Sequence, residues 1–445
     1  MSTAASIVPD VPVPASSTST SHPAELPSIQ AEDPHDPLTS SDPYVYLASR
    51  AFHQTFSCPR TQTRVSYVDC GDKTGPLLLY ILPSGCSRWV AVFLDGYARA
   101  KGVRLVAADR PGQGRTARVP LPSRIETSTS QTLSLLEHLQ LGGTEVSFLI
   151  HSAGIFFLLP VLLHLLKSPS PALPTLSGGI FLSSPWIPAS VSGSRLFALV
   201  PASIATAGHL FIPKLLGSVN WLSGMSDGMG DSLKSVLAIS GISVGARPVV
   251  TEQDQRKLDK ANKKERAKSI RAHPTADIHP PFELQAEVLL GSPRMGAWIA
   301  EHGTEKGKKP NLDLGQELLF SYMMEEGCWG FSQEHSLCLG GGDPEGERGL
   351  VKALQGGWED VGLTWKAKMM EAGEGEGKAL LVVNYWACED GLIPLKGRNW
   401  FDTLITQTPG ILYERHELGA GAGHDTPIST KDVVDGIFSW VSVHG

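Results

Sequence analysis

A serine interrupts an otherwise apolar stretch of the chain, Leu149–Phe157, which reads LIHSAGIFF. The run before Ser152 has the composition of a strand, and the run after it has that of a core helix. A serine hydroxyl at such a corner is exposed to a ligand and can act as a nucleophile if a base removes its proton. The spacing therefore predicts Ser152 as a nucleophile. The backbone amide of Ala153, the next residue, is placed to stabilise an oxyanion.

A base and an orienting acid are both available near the carboxyl end of the sequence. Asp390 lies in the loop ACEDGLIP, which follows the apolar run LLVVNYW, and His424 lies in GAGAGHDTP, after the last predicted strand. Both loops follow strands, so both are expected at the sheet edge that carries Ser152. The alternatives to His424 are His151 and His416, and the alternative to Asp390 is Glu389. Position favours Asp390 and His424 as the partners of Ser152.

The segments around these residues alternate between strand and helix patterns, which predicts an α/β fold with a mostly parallel central sheet flanked by helices. Apolar helical spacing predicts helices over Gln131–Leu141 and Lys431–Val443. The predicted strands are Val65–Asp69, Leu77–Leu82, Arg104–Ala108, Glu145–Ile150, Gly179–Leu182, Leu380–Tyr385 and Ile411–His416.

Six short motifs in this order resemble the cap-bearing serine hydrolases of the α/β-hydrolase fold: VSYVDCG, LPSGCSRW, DRPGQG, HSAG, CEDGLIP and GAGHD. The resemblance covers about Val65–Pro185 and Ala379–Val443, and not the segment between them. It implies that Ser152 is the nucleophile, His424 the general base and acid, and Asp390 the carboxylate that orients His424. It also implies that Ala153 and the Pro83–Ser84 turn frame the oxyanion hole. Pro83 has no amide hydrogen, so the donor in that turn is expected to be Ser84.

Changes in composition divide the chain into four parts. Residues 1–43 are rich in Pro, Ser and Thr, and we expect a disordered tail. Residues 44–185 and 376–445 carry the strand and helix alternation and form the two parts of the α/β-hydrolase core. Residues 186–375 hold helical, glycine-rich and charged material, which predicts a large, mainly helical cap or lid insertion.

Composition also limits the classes of partner. A net charge of -7 argues against nucleic acid, which needs a basic face. The six cysteines have no metal-ligand spacing, so we expect reduced thiols, a cytoplasmic location, and neither a metal nor a cofactor. The apolar run Ile155–Leu166 is too short to span a bilayer, and it contains Pro160 and His164. We therefore expect no integral membrane insertion.

The predicted reaction is hydrolysis of a carboxylic ester or thioester through an acyl-serine intermediate. The apolar stretch Leu196–Leu216, with Trp186 and Trp221 nearby, favours a small, largely apolar substrate. One alternative is a carbon–carbon bond or lactone hydrolase that uses the same three residues. The other is a non-catalytic binding protein, because Ile150 and Leu82–Pro83 differ from the glycine and His-Gly usual in these motifs. The sequence leaves the oligomeric state open.

Overall fold

A nine-stranded sheet forms the centre of the protein in the computed structural model, which describes residues 38, 40, 42–194, 278–279, 314–373, 378–419 and 421–445. The order of strands across the sheet is β1-β2-β4-β3-β5-β6-β8-β9-β7. Their bounds are β1 Gln54–Cys58, β2 Thr63–Gly71, β3 Leu77–Ile81, β4 Arg104–Ala108, β5 Glu145–His151, β6 Thr175–Ser183, β7 Ile278–His279, β8 Leu380–Ala387 and β9 Ile411–Leu418.

The sheet is parallel except at one side. β2 pairs antiparallel with both β1 and β4, and every other pairing between neighbouring strands is parallel. The carboxyl ends of β3, β5, β6, β8 and β9 therefore meet at one edge of the sheet. The predicted α/β class with a mostly parallel sheet is confirmed, and all seven predicted strands are present.

Helices cover both faces of the sheet, so successive residues of a central strand enter different cores. The helix bounds are α1 Pro43–Leu47, α2 Trp89–Val92, α3 Asp95–Ala100, α4 Arg124–His138, α5 Ile155–Lys167, α6 Ala189–Ser192, α7 Leu314–Glu326, α8 Gly330–Cys338, α9 Glu347–Glu371, α10 Leu395–Gln407, α11 Thr426–Ser429 and α12 Lys431–His444. In β3, Leu77, Leu79 and Ile81 pack in one cluster with α4, α5, α9 and α10, whereas Leu78 and Tyr80 pack in the other with α1, α2, α3 and α12.

Much of the predicted cap lies outside the described residues, including Leu196–Leu216 and Trp221. The predicted tail also lies outside them, except for residues 38, 40, 42 and 43. Within 186–375 the structure describes α6, β7 and the helices α7, α8 and α9. Helix α9 packs on α5, where Gly357 lies against the Leu159 side chain. The division of the chain into four parts stays a prediction.

Among the described helices, none combines the length and the apolar character that a membrane crossing requires. The cytoplasmic location stays a prediction from the sequence.

Candidate active site

Ser152 occupies a tight corner between β5 and α5. The strand ends at His151, one 3₁₀ turn spans Ser152–Gly154, and α5 begins at the next residue. The backbone of Ser152 has a φ of 51°, in the left-handed region that residues other than glycine seldom adopt. The Trp186 amide donates a hydrogen bond to the Ser152 carbonyl at 3.0 Å and helps to fix the corner. This strained strand-to-helix turn directs the side chain at its apex away from the sheet, as a nucleophile requires.

Gly154 permits the corner to approach the neighbouring strand. A Cβ atom added at Gly154 would lie 2.6 Å from the Ile81 carbonyl oxygen and 2.9 Å from Cγ2 of Ile150. The isoleucine at the first position of the motif therefore fits because Gly154 has no side chain. The departure at Ile150 is accommodated by packing, and the corner keeps its shape.

We expect Gly154→Ala to lower the free energy of unfolding by about 1–3 kcal/mol, because the added methyl group overpacks against backbone that cannot move freely. The control is Gly356→Ala, at an exposed position of α9 where an added Cβ meets nothing within 4 Å. That change should raise stability by about 0.5–1 kcal/mol. Urea unfolding followed by circular dichroism measures both. A Gly154→Ala protein as stable as wild type would contradict the close packing of the corner.

The structure brings the side chains of Ser152, His424 and Asp390 into one hydrogen-bonded chain. His424 Nε2 lies 2.8 Å from Ser152 Oγ, and His424 Nδ1 lies 2.8 Å from Asp390 Oδ2. The carboxylate can only accept, so Nδ1 carries a hydrogen and Nε2 is left to accept from the hydroxyl. This tautomer is the one that a general base acting on Ser152 needs.

Burial and local hydrogen bonds hold this chain in one geometry. Exposure of the three residues is 7% for Ser152, 1% for His424 and 6% for Asp390. The other carboxylate oxygen of Asp390, Oδ1, accepts from the amides of Leu392 at 2.8 Å and Ile393 at 2.9 Å. Asp390 is therefore fixed from both sides, by its own loop and by His424.

The same contacts shift the pKa values of both groups. Burial tends to raise the pKa of Asp390, but the adjacent His424 ring and the two loop amides outweigh burial and lower it. Burial tends to lower the pKa of His424, but the Asp390 carboxylate and, more weakly, Asp425 outweigh burial and raise it above its ordinary value of 6.5. Asp390 thus stays ionised and stabilises a protonated His424.

The alternatives Glu389, His416 and His151 take no part in the chain of Ser152, His424 and Asp390. Glu389 is exposed, and the His416 ring stacks on Tyr385 at 5.0 Å. His151 is buried beside the site, where its Nδ1 lies 2.8 Å from the Ser183 carbonyl oxygen and its Nε2 lies 2.8 Å from Asp425 Oδ1. The Ser183 carbonyl oxygen can only accept, so Nδ1 of His151 donates to it. Nε2 of His151 and the Asp425 carboxylate therefore share one further hydrogen.

Asp425 is therefore part of the site's surroundings, and sequence reasoning did not identify it. The sequence feature that could have identified Asp425 is its position directly after His424 in the motif GAGHD.

His151, His424 and Asp425 are also a group that could hold a metal ion, since one ligand atom from each lies within 4.8 Å of the others. Both ring nitrogens of His424 already contact Asp390 and Ser152. A metal at this position would take a ring nitrogen of His424 from Ser152 or from Asp390, so it would break the hydrogen-bonded chain.

Of the two predicted oxyanion-hole residues, one lies in the corner and the other on a neighbouring loop. Ala153 follows Ser152 in the 3₁₀ turn, and Ser84 lies in the loop between β3 and α2. Arg110 donates to the carbonyl oxygens of Leu82 and Pro83, and the Gly85 amide donates to Glu334. In the part of the chain that the structure describes, the Ser84 amide has no protein acceptor. It is thus the amide of this turn that remains available to a ligand.

No protein-family profile matches the sequence, and no curated protein matches it either. Many solved structures resemble it weakly, among them the following three. An epoxide hydrolase from Vigna radiata is 15% identical, with 87% of this chain and 97% of that chain covered and a TM-score of 0.42. The enol-lactonase from Burkholderia xenovorans LB400 is 11% identical, with 87% and 99% covered and a TM-score of 0.42. An esterase from Rhodococcus sp. ECU1013 is 13% identical, with 89% and 100% covered and a TM-score of 0.40.

Likenesses at this level of identity and score do not bear on substrate or activity. The fold follows from the chain's own topology: a mostly parallel sheet with β2 antiparallel, and a strained serine corner after β5 at the carboxyl edge. Residues Ser152, Asp390 and His424 lie on loops after strands at that edge, in the chain order Ser, Asp, His. The protein has the α/β-hydrolase fold, as the sequence predicts.

Proposed function

We propose that this protein is a serine hydrolase that cleaves a carboxylic ester or thioester of a small, largely apolar substrate through an acyl-serine intermediate. The observation that carries the proposal is the position of the His424 ring, 2.8 Å from both Ser152 Oγ and Asp390 Oδ2. These contacts are within the reach that proton transfer from a nucleophile to its base requires.

In the first half of the reaction, Ser152 Oγ attacks the acyl carbon and its proton moves to His424 Nε2. Asp390 accepts the Nδ1 hydrogen and stabilises the imidazolium that forms. The amides of Ala153 and Ser84 donate to the oxyanion. When the tetrahedral intermediate collapses, the bond to the leaving group breaks, and the departing alcohol or thiol takes the proton from Nε2.

In the second half, water attacks the acyl-serine and gives a proton to His424 Nε2. The acid leaves when the bond to Ser152 Oγ breaks and the serine regains its proton. Atoms balance over the cycle, since one water is consumed and one acid and one alcohol or thiol are released. The reaction needs no oxidant or reductant.

The apolar character of the substrate is supported by the composition of Leu196–Leu216 and by two aromatic residues, one at the corner and one beside the loop that carries Ser84. Trp186 is buried and its amide bonds to Ser152. Phe331, on α8, packs against Gly85 in the loop that carries Ser84.

A series of p-nitrophenyl esters and matching thioesters, from acetyl to medium-chain acyl groups, tests the proposal on purified protein. We expect medium-chain esters to give a higher kcat/KM than acetate, because an apolar pocket gains free energy with each buried methylene. If the protein cleaved acetyl esters but no medium-chain esters, the proposal of a largely apolar substrate would be overturned. Folded protein that cleaves no ester or thioester would leave the binding-protein interpretation in its place.

A further inference from the structure

Glu334 is a fully buried carboxylate on α8 that lies among three donors. Arg110 donates to both of its oxygens, at 2.6 Å from Nε and 2.7 Å from Nη2. Arg124 donates to Oε1 at 2.6 Å. The third donor is a backbone amide, that of Gly85, which lies 2.7 Å from Oε2. A side chain from the region predicted as the cap therefore bonds directly to the loop that carries Ser84.

Glu334 is ionised in this setting. Burial tends to raise its pKa, but the guanidinium groups of Arg110 and Arg124 outweigh burial and lower the pKa to about 2. A charged acceptor holds the Gly85 amide more strongly than a neutral one would, because hydrogen bonds to ionised groups are shorter and stronger.

Arg110 fixes the other side of the same loop. Its two terminal nitrogens donate to the carbonyl oxygens of Leu82 and Pro83, while the same guanidinium holds Glu334. The guanidinium also lies 4.5 Å from the centre of the Phe157 ring. Arg110 is 4% exposed and has little freedom to move. The carbonyl oxygens of Leu82 and Pro83 therefore point toward Arg110. In this orientation they do not face the oxyanion, which they would repel.

Gly85 and Phe331 show that α8 sets the shape of this loop by packing as well as by charge. Gly85 has a φ of 74°, and a Cβ atom there would lie 2.0 Å from Cδ2 of Phe331. Phe331 and Glu334 belong to the same helix. The loop thus fits against α8 closely, and the Ser84 amide remains without a protein acceptor in the described chain.

We propose that Glu334, acting with Arg110, is a positioning residue that holds the loop Leu82–Gly85 in the shape that presents the Ser84 amide to the oxyanion. The ion pair fixes a loop in which Leu82–Pro83 replaces the His-Gly that the resemblance leads one to expect. This inference rests on the proposed serine hydrolase function.

The test is Glu334→Gln, which keeps the size of the side chain and removes its charge. We expect kcat to fall about 10- to 100-fold, while KM stays within about twofold of wild type. This loss is smaller than the loss caused by removing an oxyanion donor altogether, because the Ser84 amide is displaced and not deleted. A trifluoromethyl ketone inhibitor, which forms a tetrahedral oxyanion adduct with a reactive serine, should bind more weakly by a factor similar to the loss in kcat.

Glu326→Gln is the matched control. Glu326, on α7, forms a similar ion pair with Arg88 at 2.6 and 2.7 Å, but it contacts no residue of the loop Leu82–Gly85 among its described hydrogen bonds and ion pairs. It should lose stability as Glu334→Gln does, while its kcat and its inhibitor constant stay within twofold of wild type. If Glu334→Gln does not fold, Arg110→Lys takes its place, with the same expected loss of kcat.

Folded Glu334→Gln or Arg110→Lys protein with wild-type kcat and inhibitor affinity would overturn the inference and leave the proposed function intact. Equal losses of kcat in the Glu326→Gln control would also overturn it, since they would indicate a general effect of destabilisation. Wild-type protein that hydrolyses neither esters nor thioesters would overturn the proposed function, and this inference with it.

Discussion

Replacing Ser152 with alanine is expected to lower kcat for ester hydrolysis by about 10⁴- to 10⁶-fold, with the folded state retained. In the proposed reaction the hydroxyl forms the covalent bond to the acyl carbon, and His424 cannot replace it from the same position. The residual rate should come from the oxyanion donors and from binding alone. Steady-state kinetics on the best ester of the chain-length series measures the loss.

Ser183→Ala is the control for that substitution. Ser183 ends β6, directly beside His151 in the parallel pairing with β5, and like Ser152 it is a buried residue. Its Oγ has no hydrogen-bond partner among the described residues. We expect its kcat to stay within about twofold of wild type. A Ser152→Ala protein that keeps a tenth or more of the wild-type kcat would exclude Ser152 as the nucleophile.

Asp390→Asn is expected to lower kcat by about 10⁴-fold, because an amide in place of the carboxylate favours the wrong tautomer of His424. Asp390 Oδ2 accepts the Nδ1 hydrogen in the wild-type protein, whereas an amide nitrogen there would donate to Nδ1 and leave the hydrogen on Nε2. The exposed neighbour Glu389 provides the control, and Glu389→Gln should stay within about twofold of wild type.

The pH dependence of kcat/KM gives a second test of the same pair. His424 acts as a base only when neutral, so activity is lost as the pH falls through its pKa. Asp390 holds that pKa above 6.5, so the acid limb of the wild-type profile should lie above pH 6.5. In Asp390→Asn the acid limb should move to lower pH, because the carboxylate no longer offsets the lowering of the His424 pKa by burial. An unmoved limb, or a loss of kcat below tenfold, would contradict the role of Asp390.

The sheet and the meeting of Ser152, Asp390 and His424 at one of its edges were predictable because their signals are local. Continuous apolar runs mark strands buried on both faces, such as Leu77–Ile81. Ser152 directly follows such a run, Asp390 lies in the loop after another, and His424 lies in the loop after the last predicted strand. The turn at Ser152 was also predictable, since small residues after a strand permit a sharp corner. Local pattern was less informative for β1, Gln54–Cys58, where the burial follows a weak alternation at the edge of the sheet.

The ion pairs around the site were not predictable, because they join distant parts of the chain. Arg110 and Glu334 are 224 residues apart, and neither lies in a pattern that marks it as buried. Charged residues are usually solvated, so a sequence gives no reason to place Glu334 beneath an active-site loop. The His151–Asp425 pair was missed for the same reason, although Asp425 adjoins His424 in the sequence.

The most direct test of the central claim is the reaction of the purified protein with a fluorophosphonate probe, read by mass spectrometry of the peptide that contains Ser152. Our account predicts one adduct on Ser152, formed by wild-type and Ser183→Ala protein and absent from Ser152→Ala. Formation of the adduct should be slowed strongly in Asp390→Asn, since the serine is then poorly activated. Folded wild-type protein that carries no adduct on Ser152, or carries it equally in Asp390→Asn, would contradict the account.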